Sequence, residues 1–242
     1  MRKLIPVVLI SCLALPFAPA SAESPKPPKL VVGKKRYVQG HDVKITLVND
    51  TNTDVTYGTP WRIENTKGEI VAAYHWDRAE TTLAPGESVT WSWDGTPNQC
   101  SREGCTKVGG VPAAGKYFAT VDVRNFGEMQ KGFLTGRYFT LGFESRPNTT
   151  FEVFVARQKA VDQMRAEAQA EDKTLIVSGI IRLGRQGYNK DWSFYMGPRS
   201  IVLGEMFIEV CDGSPYYVQR HRRDWNGDRW CPWSSYVKRM GR

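Results

Sequence analysis

The stretch from Tyr188 to Tyr236 constrains the fold most, because it contains two cysteines and four tryptophans. In an exported chain Cys211 and Cys231 are expected to form a disulfide. That bond closes a loop of about 20 residues and stabilises the folded chain by about 3 kcal/mol through the entropy of the unfolded state. We expect it to join a predicted strand over Met206–Val210 to the Trp-Cys-Pro-Trp segment that begins at Trp230.

The N-terminus predicts export to the periplasm or secretion. Basic residues Arg2-Lys3 precede an apolar run over 4–17 and a small-residue cleavage site, Ala20-Ser21-Ala22. This pattern is typical of a signal peptide, here residues 1–22, followed by a proline- and lysine-rich leader over 23–29. The apolar run is too short to span a bilayer and no later run is longer, so we expect no transmembrane segment.

A lipoprotein signal is the alternative reading of this N-terminus. The residues Leu9-Ile10-Ser11-Cys12 resemble a lipobox, which would place a lipid on Cys12. The chain stays apolar after Cys12 and continues to the small-residue cleavage site. That continuity favours the signal peptide over lipidation.

Without the signal peptide, four cysteines remain, an even number that predicts two disulfides in an exported chain. Neighbours in sequence suggest Cys100–Cys105 and Cys211–Cys231, although four cysteines allow three connectivities. A zinc site is the rival, but the cysteine spacings fit no zinc pattern. We therefore expect no metal and no cofactor. The three histidines are scattered along the chain, at His41, His75 and His221.

The charge of the chain is positive but dispersed. The formal net charge of +8 falls to +6 when Arg2 and Lys3 leave with the signal peptide. The densest basic run is Arg220-His221-Arg222-Arg223, which could bind anions but is better explained as a solvated face. Export argues against a nucleic-acid partner.

An alternation of apolar and polar residues predicts a β-sandwich of immunoglobulin type over 30–143. Val43, Ile45 and Leu47 alternate with more polar residues, as in a strand with one buried face. Turn residues then recur about every ten residues, which is typical of a sandwich. The predicted strands lie at 43–48, 55–57, 61–63, 70–76, 89–93, 117–123 and 138–143.

Two turn motifs in this part resemble those of a known protein family. The runs TLAPGESVTWSWDG and GGVPAAGKYFATVDV, with GHDVKITLVNDTNTDVTY upstream, are similar to the intracellular proteinase inhibitor (BsuPI) family. The resemblance covers residues 30–143 and implies an immunoglobulin-like fold and inhibition of a proteinase. The Cys100–Cys105 loop departs from the family pattern, because it is insertion-like. Such a loop suits an exported member of the family and not an intracellular one.

A second domain is predicted over 151–242, after a polar boundary at 144–150. Its pattern is α+β, so the fold expected for the whole chain is mostly β: an immunoglobulin-like β-sandwich followed by a small disulfide-stapled α+β domain. Helices are predicted from periodicity and from a proline in the first turn. The expected elements are strands at 151–155, 175–183, 193–196 and 201–210 and helices at 159–170 and 215–224.

This second part resembles the N-terminal domain of the calmodulin-binding-protein-related group. The resemblance implies a fold but no catalytic site, and it does not imply calmodulin binding in an exported chain. The residues that carry it are Ser178-Gly179-Ile180-Ile181, Tyr188-Asn189, Trp192-Ser193-Phe194, Ser200-Ile201, Ile208-Glu209-Val210-Cys211-Asp212, Tyr217-Val218 and Trp230-Cys231-Pro232-Trp233-Ser234-Ser235.

The Cys100–Cys105 loop is a candidate binding site for a serine protease. A disulfide hairpin with Arg102 and Glu103 at its apex would present the arginine to a trypsin-like acidic pocket. Fixing such a loop in advance lowers the ordering cost of binding. The alternative is a closed hairpin whose arginine is only solvated.

The tryptophans divide into two groups. Trp91 and Trp93 share one strand face and are candidates for contact with a partner. Trp192 and Trp230 belong to the cysteine-containing stretch 188–236, and aromatic side chains beside a disulfide more often pack in the core. We therefore assign the second pair to the core.

Signatures of an enzyme are missing from the sequence. It has no G-x-S-x-G, no H-E-x-x-H and no glycine-rich phosphate loop, so no catalytic residue is assigned. His75 with Asp77 or Asp94 could transfer a proton, but no nucleophile matches them. The run 224–228 begins like a calcium loop and then fails the pattern, so a polar turn is expected.

These patterns favour an exported, non-enzymatic protein-binding module, and more specifically a proteinase inhibitor. One alternative is a structural or adhesive component of the cell envelope, which would show an exposed apolar or aromatic patch. The other is a hydrolase with a site between the domains, which would use His75 or His221.

Overall fold

The computed structural model describes residues 26–58, 61–74, 79–101 and 104–241. The signal peptide with Cys12, the pair His75 and Asp77, and the apex residues Arg102 and Glu103 lie outside the described residues. Strands make up 49% of the chain and helices 10%, which confirms the mostly β fold.

The regular elements follow the chain in an order that separates a β-rich first part from a mixed second part. The first part contains β1 Lys29–Val32, β2 Arg36–Val38, β3 Val43–Val48, β4 Val55–Gly58, β5 Trp61–Asn65, β6 Ile70–Tyr74, β7 Glu80–Leu83, β8 Ser88–Trp93, β9 Asn98–Ser101, β10 Gly104–Lys107 and β11 Gly115–Val123. Strand β12, Gly127–Phe143, connects the two parts. The second part contains β13 Thr150–Val155, α1 Gln158–Gln169, β14 Ile176–Leu183, β15 Phe194–Met196, β16 Val202–Gly204, a 3₁₀ turn Glu209–Cys211, α2 Pro215–Arg220, β17 Arg229–Trp230 and β18 Ser235–Met240.

The first part is a β-sandwich. A three-stranded sheet in the order β1-β3-β8 packs against the larger sheet that contains β4, β5, β7 and β11. Val43, Ile45 and Leu47 are buried while their neighbours in β3 are more exposed, as the alternation predicted. Their side chains share one core with Ile63 of β5 and Phe133 of β12.

Strand β12 belongs to both parts of the chain. Its first half pairs with β11, from Gly127 opposite Val123 to Thr135 opposite Gly115. Its second half pairs with β13 and with β18. The sequence predicted only the last third of this strand, and it missed β18. Strand β12 contributes side chains to both cores, so it links the two parts of the chain. The expected domain boundary at 144–150 stays a prediction.

The second part has its own core around β14. Strands β15, β16 and β17 pair with β14, and α1 buries Ala160, Val161 and Met164 against this core. Trp192 and Trp230 are buried there, as expected. Helix α2 ends at Arg220 and turns replace the rest of the predicted helix, because the backbone leaves the helical region at His221.

The predicted strand over Met206–Val210 is wrong. Strand β16 ends at Gly204, which pairs with Ile176, the first residue of β14. The residue before Ile176, Leu175, donates its amide to the Glu167 carboxylate at 3.0 Å and not to the segment after Gly204, so the chain leaves the sheet there. It then runs as an irregular loop into the 3₁₀ turn that ends at Cys211.

Both expected disulfides are present. Cys100 and Cys105 face each other across the β9–β10 hairpin, with their Cα atoms 4.0 Å apart. Cys211 and Cys231 join with a Cα separation of 5.2 Å. Two disulfides are typical of an exported protein. Among the described residues no helix is both long enough and apolar enough to cross a membrane.

Candidate functional site

An open groove of about 820 Å³ lies beside the Cys211–Cys231 disulfide. We call it the apolar groove. One wall is the loop that follows β16, and the other is the turn that follows α2. Its lining residues are Met206, Phe207, Ile208, Val210, Cys211, Asp224, Trp225, Asp228 and Arg229.

The loop wall exposes three large apolar side chains within five residues. Met206 is 83% exposed, Ile208 71% and Val210 81%. Folding leaves single apolar residues on most surfaces, but a contiguous apolar patch marks a site of interaction. These three residues were predicted to lie in a strand, so the sequence did not identify them as site residues.

Several contacts to the core fix the end of this loop. The Cys231 amide donates to the Cys211 carbonyl oxygen at 2.8 Å, beside the disulfide. The indole of Trp230, itself fully buried, donates to the Gly213 carbonyl at 2.8 Å. The Trp233 amide donates to the Asp212 carboxylate at 2.8 Å. The C-terminal end of the loop is therefore held in place before any ligand binds, which reduces the entropy cost of binding.

The second wall is a turn attached to β14. The Ile181 amide donates to the Asp228 carbonyl at 2.9 Å, and the Gly227 amide donates to the Ile181 carbonyl at 3.0 Å. These bonds hold Trp225, whose ring meets Tyr217 of α2 edge-on with centroids 6.4 Å apart. The run 224–228, which begins like a calcium loop, is a polar turn here, as expected.

The charges of the groove are mainly acidic. Asp224 and Asp228 line it, and Glu205 and Glu209 are exposed on the loop wall. Within the described part of the chain Glu205, Glu209 and Asp228 form no ion pair. Arg229, the one basic residue among the described residues that line the groove, donates to the Ser178 hydroxyl at 3.0 Å. The predicted basic run 220–223 contributes no lining residue.

The two candidate tryptophans of the sandwich lie mostly in its core. Trp93 is fully buried, and its indole donates to the Thr96 carbonyl at 2.8 Å, so it offers no surface to a partner. Trp91 is half-buried against Tyr57 and Trp61, at centroid distances of 5.5 Å and 5.7 Å. The two tryptophans share one face, as predicted, but that face is directed at the core.

Tyr74 extends this aromatic group toward the surface. Its ring stacks on Trp61 with centroids 4.4 Å apart. Burial, with a smaller effect of the Asp94 carboxylate, raises the pKa of Tyr74 to about 12.

An asparagine side chain attaches the β9–β10 hairpin to the sandwich. The Asn98 side chain donates to the Ala73 carbonyl at 2.9 Å and accepts from the Ala73 amide at 2.7 Å, so it pairs with β6 as a backbone would. All four residues of β10 are exposed. Arg102 and Glu103, the candidate contact residues at its apex, lie outside the described residues.

The described histidines give no catalytic arrangement. His221 lies 4.0 Å from Asp224, with both side chains exposed, and its ring is 4.5 Å from that of Tyr217. His41 lines a separate polar cavity with Lys34, Arg36 and Asp42. Within the described residues no three His, Cys, Asp or Glu side chains are grouped so that they could hold a metal ion.

The second part of the chain is thus a compact α+β unit with a disulfide-anchored loop. The family model described as the BP-74 N-terminal domain matches residues 136–242, beginning inside β12. This match supports the resemblance of the C-terminal part to the calmodulin-binding-protein-related group. It does not cover residues 30–135, and the resemblance of residues 30–143 to the BsuPI family stays a prediction.

Other comparisons are distant. No curated protein matches the chain. Among solved structures, a beta-glucosidase from Listeria innocua is similar at 14% identity and a TM-score of 0.25, both as a mutant with laminaribiose and as complexes with glucose and gluconolactone. The similarity covers 46% of this chain and 16% of that enzyme, and it carries no functional argument.

Proposed function

We propose that this is an exported, non-enzymatic protein-binding module that binds its partner in the apolar groove. The observation that carries the proposal is the exposure of Met206, Ile208 and Val210 on a loop held by a disulfide. Binding hot spots are apolar or aromatic anchors in preorganised, desolvated pockets. Trp225, on the opposite wall, supplies an aromatic surface for such an anchor.

The charges of the groove favour one kind of occupant. The carboxylates of Glu205, Glu209 and Asp228, which form no ion pair with any described residue, complement lysine or arginine. We therefore assign the groove to a polypeptide segment that alternates apolar with basic side chains. An anionic bilayer fits less well, because its surface charge would face these carboxylates.

A selection from random displayed peptides tests this proposal. Wild-type protein is the bait, and we expect the selected peptides to combine apolar residues with lysine or arginine. The variant Met206→Ser/Ile208→Ser/Val210→Ser should bind a selected peptide about 30-fold more weakly or worse, because losing one anchor typically costs about 2 kcal/mol. Glu209→Gln should weaken binding less and reduce its dependence on salt.

The matched control is Ile70→Ser, which removes an apolar side chain that is 51% exposed on the sandwich. It should leave peptide affinity unchanged. Equal binding of the peptides to the triple variant would remove the groove from consideration. Binding of the wild type to phosphatidylcholine and phosphatidylglycerol vesicles, with no peptide selected, would assign the surface to lipid instead.

A proteinase inhibitor is the second candidate function. The observation that favours it is the hairpin closed by Cys100–Cys105, with β10 exposed and Asn98 bonded to Ala73. Inhibition constants against a panel of trypsin-like proteases test it, with Arg102→Ala as the variant and Arg124→Ala, which removes an exposed arginine of the sandwich, as control. Loss of inhibition only in Arg102→Ala supports this candidate. A panel without inhibition removes it.

A further inference from the structure

A second cleft lies where the sandwich meets the C-terminal part, away from the apolar groove. Its volume is about 370 Å³. It is bounded by the β5–β6 turn, the start of β11, the start of α1 and the segment before β16. We call it the basic cleft. Its lining residues are Asn65, Thr66, Lys67, Ala113, Ala114, Gly115, Lys116, Tyr117, Ala156, Arg157, Gln158, Lys159 and Arg199.

Among the residues that the structure describes, every charged residue lining the basic cleft is a cation. The five are Lys67, Lys116, Arg157, Lys159 and Arg199. None of them forms an ion pair with a carboxylate in the described ranges, although Lys116 lies 4.5 Å from the centre of the Phe118 ring. Because the cleft is concave and lined by one sign of charge, it concentrates positive potential.

Two carboxylates bond to side chains that line the basic cleft. Glu69 accepts from the Asn65 side chain at 2.6 Å, and Asp162 accepts from the Gln158 side chain at 2.8 Å. Neither Glu69 nor Asp162 lines the cleft. Among the described residues neither carboxylate forms an ion pair with the five cations, although each keeps its negative charge beside the cleft.

Hydrogen bonds hold the walls of the basic cleft together. The side-chain oxygen of Gln158 accepts from the Ala114 amide at 2.6 Å and from the Gln39 side chain at 3.0 Å. The Ala156 amide donates to the Pro198 carbonyl at 2.9 Å, which fixes the segment before Arg199. The cleft is thus formed in the free protein and does not need a ligand to assemble it.

We propose that the basic cleft binds a ligand that carries several phosphate or sulfate groups. Arg157 and Arg199 supply planar guanidinium groups, which match oxyanions with two parallel hydrogen bonds. The three lysines add compact positive charges, which can pair with the additional anionic groups of such a ligand. A cleft of about 370 Å³ suits a small ligand or the anionic end of a larger one.

Titration calorimetry of the full mature chain tests the proposal with tripolyphosphate and a heparin hexasaccharide as probes. We expect one of these probes to bind much more tightly than inorganic phosphate, with affinity falling steeply as salt rises. The probe that binds more tightly shows whether the natural ligand carries phosphate groups or sulfated sugars. If inorganic phosphate binds as tightly as both, or if neither probe binds, the proposal is overturned.

The test variant Arg157→Gln/Lys159→Gln should lower the affinity for the preferred probe by about tenfold or more. The matched control Lys44→Gln/Lys131→Gln removes two exposed lysines of the sandwich that do not line the cleft. Equal losses in both double variants would mean non-specific attraction to net charge and would refute the site. This inference does not rest on the apolar groove, so the triple serine variant of that groove should bind the probe normally.

Discussion

Removing the two disulfides separately should cost different amounts of stability, and the structure sets the order. The bonds close loops of very different length, with sequence separations of 20 for Cys211–Cys231 and 5 for Cys100–Cys105. In the chain-entropy treatment these loops correspond to about 3 and about 2 kcal/mol, a difference of about 1.2 kcal/mol. Cys211 and Cys231 are also buried, so replacing them removes packing as well.

Thermal unfolding of the wild type and of each variant, without added oxidant or reductant, measures the loss of stability. For a chain of this length one kcal/mol corresponds to about 2–4 °C in Tm. The variant Cys211→Ala/Cys231→Ala should therefore lose about 6–12 °C, and Cys100→Ala/Cys105→Ala about 4–8 °C. If Cys100→Ala/Cys105→Ala lowers Tm as much as Cys211→Ala/Cys231→Ala does, loop length and burial do not determine how much each disulfide stabilises the fold. Only the Cys211→Ala/Cys231→Ala variant should also lose peptide binding, because it frees the loop of the apolar groove.

Two further predictions concern the sandwich and β12. A Cβ at Gly136 would overlap the Val155 carbonyl oxygen, so Gly136→Ala should lower the free energy of unfolding by about 3 kcal/mol in urea titrations. Gly132→Ala, in the same strand, meets only side-chain atoms at 3.3 Å and should cost much less, and equal costs would contradict the reasoning. The raised pKa of Tyr74 means that the unfolded chain loses this proton first, so stability is full below about pH 10 and declines as pH rises toward about 12. In Tyr74→Phe the urea midpoint should fall less between pH 9 and 11 than in the wild type, and parallel profiles would refute that assignment.

The sequence predicted those features whose cause is local. The alternation of Val43, Ile45 and Leu47 predicted β3, and cysteines adjacent in sequence predicted both disulfides. The first half of β12 was missed because the run Gly127–Arg137 has few apolar residues and takes its structure from pairing with other strands. Its partner β11 directly precedes it in the chain, whereas β2, at Arg36–Val38, lies far away.

The sites were less predictable than the fold. The run Glu205–Val210 alternates like a half-buried strand, and only the register of β14, which begins at Ile176, shows that no partner remains for it. The basic cleft draws on segments near residues 67, 116, 158 and 199, so no spacing within the sequence could reveal it. The exposed hairpin was predictable because its two cysteines lie only 5 residues apart.

The shared strand β12 implies that the two sites depend on different parts of the fold. The basic cleft takes walls from both sides of β12, so its shape depends on the pairing of this strand with β11 in one direction and β13 in the other. The apolar groove takes all its walls from residues after Gly204 and depends on Cys211–Cys231 and on β14. A change at Gly136 should therefore disturb the cleft more than the groove, because Gly136 lies where β12 passes from one core to the other. A protein with both sites intact could hold an apolar segment and an anionic group at the same time, on surfaces that no lining residue shares.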